Sequence, residues 1–213
     1  MTILVTGAAG FIGAHVCAAL LARGNAVLGI DNLNTYYDPA LKQARLDRLI
    51  GPRPGFRFAR SDFADSAALA AAVAGTSITA IVHLGAQAGV RHSIDAPRDY
   101  GHSNLTGQLE MLELARRAQV AHFVYASSSS VYGDSAALPF DAEARADHPV
   151  SLYAATKKAG ELIAESYAHL YRVPMTGLRF FTVYGPWGRP DMAMWRFASR
   201  ILAGQPLPIY NHG

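Results

Sequence analysis

Tyr153-Ala154-Ala155-Thr156-Lys157 sets a phenol and an ammonium four residues apart. On a helix that spacing puts both on one face, one turn apart. A phenol with its ordinary pKa of about 10 is a poor base at neutral pH, and a neighbouring ammonium stabilises phenolate and lowers that value. Such pairs are common on helices, so the pair acquires meaning only from its company. Part of that company is Ser127-Ser128-Ser129-Ser130, which closes the apolar run Phe123-Val124-Tyr125. One hydroxyl there can bond a substrate oxygen that gains or loses a proton; the others read as caps of the turn. The chemistry suggested is proton transfer at a substrate hydroxyl.

The chain opens with a second constellation. Thr6-Gly7-Ala8-Ala9-Gly10-Phe11-Ile12-Gly13 lies between the apolar run Ile3-Leu4-Val5 and a helical stretch from Phe11 to Arg23. Gly7 permits a tight turn, Gly10 lets a pyrophosphate approach the backbone, and Gly13 lets helix and sheet lie close. Amides at the helix start favour an anion. Phe11, Ile12 and Asn32 belong with these as cofactor contacts. Asp31, at the end of the second apolar run, sits near the distance at which an acid binds an adenosine ribose. A carboxylate there repels a 2′-phosphate, and no Arg or Lys follows before Lys42, which favours NAD over NADP. Asp62-Phe63 has the chemistry to bond and flank an adenine.

The elements that must hold these groups alternate. Strands are expected at Ile3–Val5, Ala26–Ile30, Phe56–Ala59, Ile78–Leu84, Phe123–Tyr125 and Met175–Phe181, with another starting at Leu207–Tyr210. Helices are expected at Phe11–Arg23, Ala40–Leu49, Ser66–Ala74, Pro97–Ala118 (with Leu105, Leu109, Leu112 and Ala115 along one face), Ser151–Tyr171 and Ala193–Ala203. This alternation implies a doubly wound parallel α/β sheet with helices on both faces, a Rossmann fold. Composition agrees. The 213 residues suffice for one large α/β domain, and 51% hydrophobic with 16% charged residues excludes wholesale disorder. A net charge of +3 without a basic block argues against nucleic acid. Cys17 is the one cysteine, so no internal disulfide forms, and no Cys/His cluster has zinc spacing. No metal is expected, and the location expected is cytoplasmic. Neither a secretory signal nor an apolar run of about 18 residues is present, so no membrane span is expected.

The glycine motif, Tyr153 with Lys157, and Ser128 three residues before Val131-Tyr132-Gly133 together resemble the extended short-chain dehydrogenase/reductases, which act on nucleotide sugars. Asp31 to Pro39 and Arg179 to Ala193 are similar to a narrower group, the UDP-glucuronate 4-epimerases, and the loop Gln87-Ala88-Gly89-Val90-Arg91 is similar too. The resemblance implies 4-epimerisation of a UDP-uronic acid through a transient 4-keto sugar. Tyr153 would take the hydroxyl proton while C4 passes hydride to NAD, Lys157 would hold the cofactor ribose, and Ser128 would share the proton path. Leu84, Ala86 and Asn104 match positions lining the cofactor. Thr182 and Arg189 match positions facing the sugar carboxylate, and Gln87 and Arg91 join the substrate set. Arg189 could instead be a surface residue beside a turn, and Arg91 could contact the nucleotide or only an acidic neighbour. A homodimer, built on the helices around Leu105–Ala115 and Ser151–Tyr167, is implied as well.

The resemblance also divides the chain, into a cofactor domain over 1–182 and the start of a truncated substrate lobe over 183–213, which would leave apolar surface uncovered. Decarboxylation or dehydration on the same scaffold, and a non-catalytic NAD-binding module, stay open as alternatives. Ser129-Ser130 stands where a dehydratase would carry an acid, which favours epimerisation. Gly85 replaces a usual Ala, and Gly101-His102 interrupts a helix where an apolar residue is usual. Cys17 reads as core, His83 as a strand residue, and Trp187 and Trp195 as core of the lobe rather than contacts to uracil.

Overall fold

The computed structural model describes residues 1–51, 53–134, 139–207 and 209. Each apolar run becomes a strand: β1 Thr2–Thr6, β2 Ala26–Asp31, β3 Phe56–Arg60, β4 Ile78–His83, β5 His122–Ser128 and β6 Met175–Phe180. They form one sheet in the order β3-β2-β1-β4-β5-β6, and every neighbouring pair is parallel. That is the doubly wound order, with its reversal between β1 and β4, where ligands lie beyond the carboxyl ends of the strands.

Consecutive strand residues face opposite sides of a sheet, and the core follows. Leu4 and Leu28 join one buried cluster with Ile81, Met111, Leu112, Phe123 and Ala164. Val5 and Val27 join another with Ala14, Cys17, Leu21 and Ile50. Helix α1 (Phe11–Ala22) therefore covers one face, while α3 (Ser66–Val73), α6 (Gly107–Arg117) and α7 (Leu152–Tyr171) cover the other. Cys17 is core, as expected. Asp65 caps α3 through the amides of Ala67 and Ala68, and Ser151 caps α7 through that of Ala154. Among the described residues, no helix is long and apolar enough to cross a membrane.

Two expected helices differ. The stretch Ala40–Leu49 is α2 (Pro39–Arg45) followed by a π turn, Leu46–Ile50. The single helix expected over Pro97–Ala118 is broken. Short α4 (His92–Asp95) and α5 (Pro97–Tyr100) precede a π turn at Gly101–Thr106, and only then does α6 begin. The π turn inserts an extra residue per turn, so the buried stripe of α6 shifts. Asn104, Gln108, Met111, Leu112 and Ala115 face inward, while Leu109 is exposed. Past β6, helix α8 (Ala193–Leu202) buries none of its residues, and Phe181, Tyr184, Met194, Ile201 and Leu202 are exposed. Trp195, expected in a core, is exposed too, because nothing described packs over α8. The strand expected at Leu207–Tyr210 falls mostly outside the described residues.

His83, at the end of β4, is buried between the rings of Phe63 and Phe123 and shares a 2.7 Å hydrogen bond with the Thr6 hydroxyl. Burial, and next the charge of Lys157, push its pKa down to about 3. The unfolded value is about 6.5, so the folded chain binds fewer protons between these limits. Stability tied to neutral His83 is complete above about pH 6.5 and is lost as pH falls toward 3. Urea unfolding at about pH 7 and about pH 5 should show the native chain losing up to roughly 1.4 kcal/mol per pH unit more than His83→Gln. Equal pH slopes for the two proteins would contradict this.

Candidate active site

The site begins where β1 runs out. Gly7 has φ of +68°, a conformation that L side chains rarely adopt, and a Cβ there would lie 2.9 Å from the Gly85 amide nitrogen. A Cβ on Gly13 would run into the Gly7 carbonyl oxygen. The turn is closed by the Gly10 amide donating to the Gly7 carbonyl (2.9 Å). Helix α1 starts directly afterwards with no side-chain cap. Its first amides, which lack partners within the helix, are thus free to meet an anion.

This turn floors one end of a crevice of about 720 Å³, formed with Leu84 to Arg91, Ser127 to Ser130, Tyr153, Lys157 and residues 180–183. Gly7, Gly10, Phe11, Ile12, Gly13, Asn32 and Phe63 line it, as do Leu84, Ala86, Gln87, Arg91, Thr182 and Arg189. The uncapped amides leave donors for a dinucleotide. Asp31 also lines the crevice, its carboxylate accepting from the amides of Ala9 (3.2 Å) and Leu33 (2.9 Å). A carboxylate has about four acceptor positions, so capacity remains for a ribose hydroxyl. The residues present therefore fit NAD. Lys42, distant in sequence, folds back into the crevice, but its ammonium is engaged by the Asn34 carbonyl and side chain (2.9 and 2.7 Å).

Two expected cofactor contacts lie off the wall. Asp62 points to its own surroundings: burial raises its pKa, yet bonds from the Ala64 amide, His102 and Asn32 outweigh this and hold it low. Asn104 lies behind the lining, clamping both backbone groups of Gln87 (2.9 and 3.0 Å) and donating to Thr156 (3.1 Å). Phe63 reaches the crevice mainly as a core residue. Its ring abuts Gly85 and Gly107 so closely that a Cβ on either would collide with it, which accounts for glycine at 85.

The same crevice holds the phenol and ammonium singled out in the sequence. Tyr153 and Lys157 project from α7 into the crevice beside Ser128. The Tyr153 ring meets buried Tyr100 edge-on, centroids 6.1 Å apart. The expectation that Lys157 draws the Tyr153 phenol down is corrected here. The Lys157 ammonium donates to the Ala126 carbonyl (3.0 Å), and burial lowers its own pKa to about 8. Burial pushes the Tyr153 phenol above its ordinary value, with the Ser128 hydroxyl and the Arg189 charge offsetting only part of the rise. Of the four serines, Ser127 is structural, donating to Glu161 (2.6 Å), and Ser128 also caps the 3₁₀ turn at Ser130 (3.2 Å).

Some residues that shape the site carry no plain sequence signal. Arg45, fully buried, donates to the carbonyls of Ala9, Trp187 and Gly188 and to the Tyr37 hydroxyl. Tyr36 donates to Asp191 (3.0 Å), and Asp191 holds Arg189. A charged residue on an amphipathic stretch reads as solvated, and only the fold reveals Arg45 as a clamp.

The chain is similar to several known proteins. Residues 3–213 match the model of the NAD dependent epimerase/dehydratase family. UDP-glucuronate 4-epimerase 3 of Arabidopsis thaliana is 51% identical over 216 residues, covering 100% of this chain and 50% of that protein. A probable UDP-glucuronate 4-epimerase of Rhizobium meliloti is 48% identical, with 100% and 62% covered. The crystal structure of a UDP-glucuronic acid 4-epimerase from Bacillus cereus, in complex with UDP-glucuronic acid and NAD, superposes with a TM-score of 0.90 at 35% identity, covering 100% of this chain and 67% of that one. The chain spans between about half and 63% of the length of such curated relatives.

The Asn104 clamp is testable. In Asn104→Ala both Gln87 backbone groups lose their buried partners, at roughly 1–3 kcal/mol for each group left unsatisfied. Urea denaturation should show a loss of about 2–4 kcal/mol, and a loss below about 0.5 would mean that the clamp holds nothing.

Proposed function

The chain belongs to the NAD dependent epimerase/dehydratase family, and on that premise we propose that it interconverts UDP-glucuronate and UDP-galacturonate through a transient 4-keto sugar. The observation that carries this reading is the shared volume. The phosphate-binding turn, Asp31, Ser128, Tyr153 and Arg189 all line one crevice, so a dinucleotide on the turn and a sugar beside Tyr153 would meet within it. When bound, NAD supplies the acceptor for the C4 hydride and returns it.

The chain's own groups do the rest. Tyr153 removes the proton of the sugar 4-hydroxyl and gives it back, and Ser128 at its side shares that proton. Its raised pKa in the bare crevice means that a further positive charge must assist. A bound nicotinamide cation would have that sign. Buried Lys157, fixed to the Ala126 carbonyl, would hold a ribose hydroxyl with its remaining donors. Oxidation at C4 of a uronate creates a β-keto acid prone to lose CO2. Thr182 and Arg189, both on the crevice wall, offer a hydroxyl and a guanidinium to fix the carboxylate out of the geometry for that loss. Ser129 and Ser130 line the same wall, giving hydroxyls where a dehydratase would need an acid.

The same reading includes a homodimer through α6 and α7, supported by Leu109, Leu152, Leu162 and Leu170 standing exposed on those helices. Sedimentation should give a dimer, and a monomer at micromolar concentration would contradict it. For the chemistry, incubation with NAD and UDP-glucuronate should yield UDP-galacturonate, and Tyr153→Phe should slow turnover about 100- to 10,000-fold. No product at high protein concentration, or full activity in Tyr153→Phe, would overturn the proposal.

A further inference from the structure

We propose that Asp191, steadied by Tyr36, is a positioning residue that holds the Arg189 guanidinium for the acid group of a uronate sugar. This rests on the function proposed above and extends it to residues that touch no substrate in that account. Arg189 donates to Asp191 through both Nε (3.0 Å) and Nη2, a bidentate fork. Of the five N–H donors of a guanidinium the fork occupies two, leaving the others for a second acceptor. The Tyr36 hydroxyl donates to the same carboxylate (3.0 Å), and the Tyr36 ring lies 5.9 Å from the Arg189 guanidinium carbon. All three side chains line the crevice.

Tyr36 is itself pinned. Its ring lies 4.9 Å from that of His92. Its hydroxyl sits so close to Gly89, at φ +99°, that a Cβ there would collide with it. The loop after β2 and the segment after β6 thus meet at one carboxylate, and the loop after β4 steadies Tyr36. Arg189 and Tyr153 line the same crevice, and the charge of Arg189 offsets part of the rise at the phenol, so an acid group next to C4 would lie within its field. A free arginine side chain would have to be ordered when that group arrives. The fork orders it beforehand, and an immobilised flexible side chain is worth about 0.5–1.5 kcal/mol in binding.

Charge alone argues the other way. Asp191 neutralises Arg189, so an Asp191 that merely screened or competed would, when removed, tighten acidic ligands. The two roles therefore predict opposite signs. Calorimetry on the NAD-saturated chain should compare UDP-glucuronate with UDP-glucose, because the ratio of the two affinities reports the acid group alone and a general loss of structure does not move it. Asp191→Asn should lower that ratio roughly 3- to 10-fold despite its added positive charge. Tyr36→Phe, which keeps the ring and the net charge, should lower it roughly 2- to 3-fold. An unchanged or increased ratio in Asp191→Asn overturns the positioning role. If thermal melting shows that variant unfolded, an unchanged ratio in Tyr36→Phe does the same. A native chain that binds both nucleotides equally would sink the uronate reading, and this inference with it, a result distinct from native discrimination that both variants retain.

Discussion

Between Gly7, Gly13 and Gly85 the backbone has no spare volume. The Gly7 carbonyl occupies the space a side chain at 13 would need, and the Gly85 amide occupies the space of one at 7. The end of β1, the start of α1 and the chain leaving β4 are thereby packed backbone to backbone. Nothing larger than hydrogen at positions 7 and 13 is compatible with that contact. The uncapped amides of α1 consequently open onto the crest of the sheet beside the loop after β4. Thr6 reinforces the contact from below, taking the Gly85 amide at 3.1 Å while bonding His83.

Two polar networks carry this local constraint outward. Asp31 takes the Ala9 amide, and Arg45 takes the Ala9 carbonyl together with those of Trp187 and Gly188. The phosphate-binding turn is in this way tied to a segment more than 170 positions along the chain, and the His15 side chain bonds the Pro186 carbonyl at 3.1 Å across the same gap. On the other side, Asn104 joins Gln87 to Thr156, whose hydroxyl also donates to the Tyr153 carbonyl (2.8 Å). The helix bearing Tyr153 is therefore registered against the loop after β4. Buried networks of this kind fix one arrangement, since a lost partner leaves a polar group without solvent.

Much of this was legible in the residues. Alternating short β-branched runs and longer periodic segments predict the strands of the sheet, because that pattern depends on local burial alone. The glycine spacing predicts the turn, because each glycine answers to a steric demand. The break at Gly101–Thr106 was not legible as a change of face: a π turn keeps helical composition while shifting the buried stripe from Leu109 to Gln108 and Met111. Tyr153 and Lys157 were found by their spacing, but spacing says nothing of burial, which raises the phenol's pKa where the ammonium was expected to lower it. Asn104 has the right chemistry but lies one layer behind the wall, and Asp62, part-exposed, is taken up by Ala64, His102 and Asn32, neither of which spacing reveals. Tyr36, Arg45 and Asp191 act through partners far along the chain, and no local pattern encodes such pairings.

In the function proposed, a sugar carbon would be oxidised and then reduced within one crevice without its hydrogen escaping to water. Substrate labelled with deuterium at C4, incubated with the chain and NAD in ordinary water, tests this most directly by mass spectrometry of the product. The account predicts UDP-galacturonate that retains the deuterium at C4. Product that has exchanged its label with solvent would contradict it.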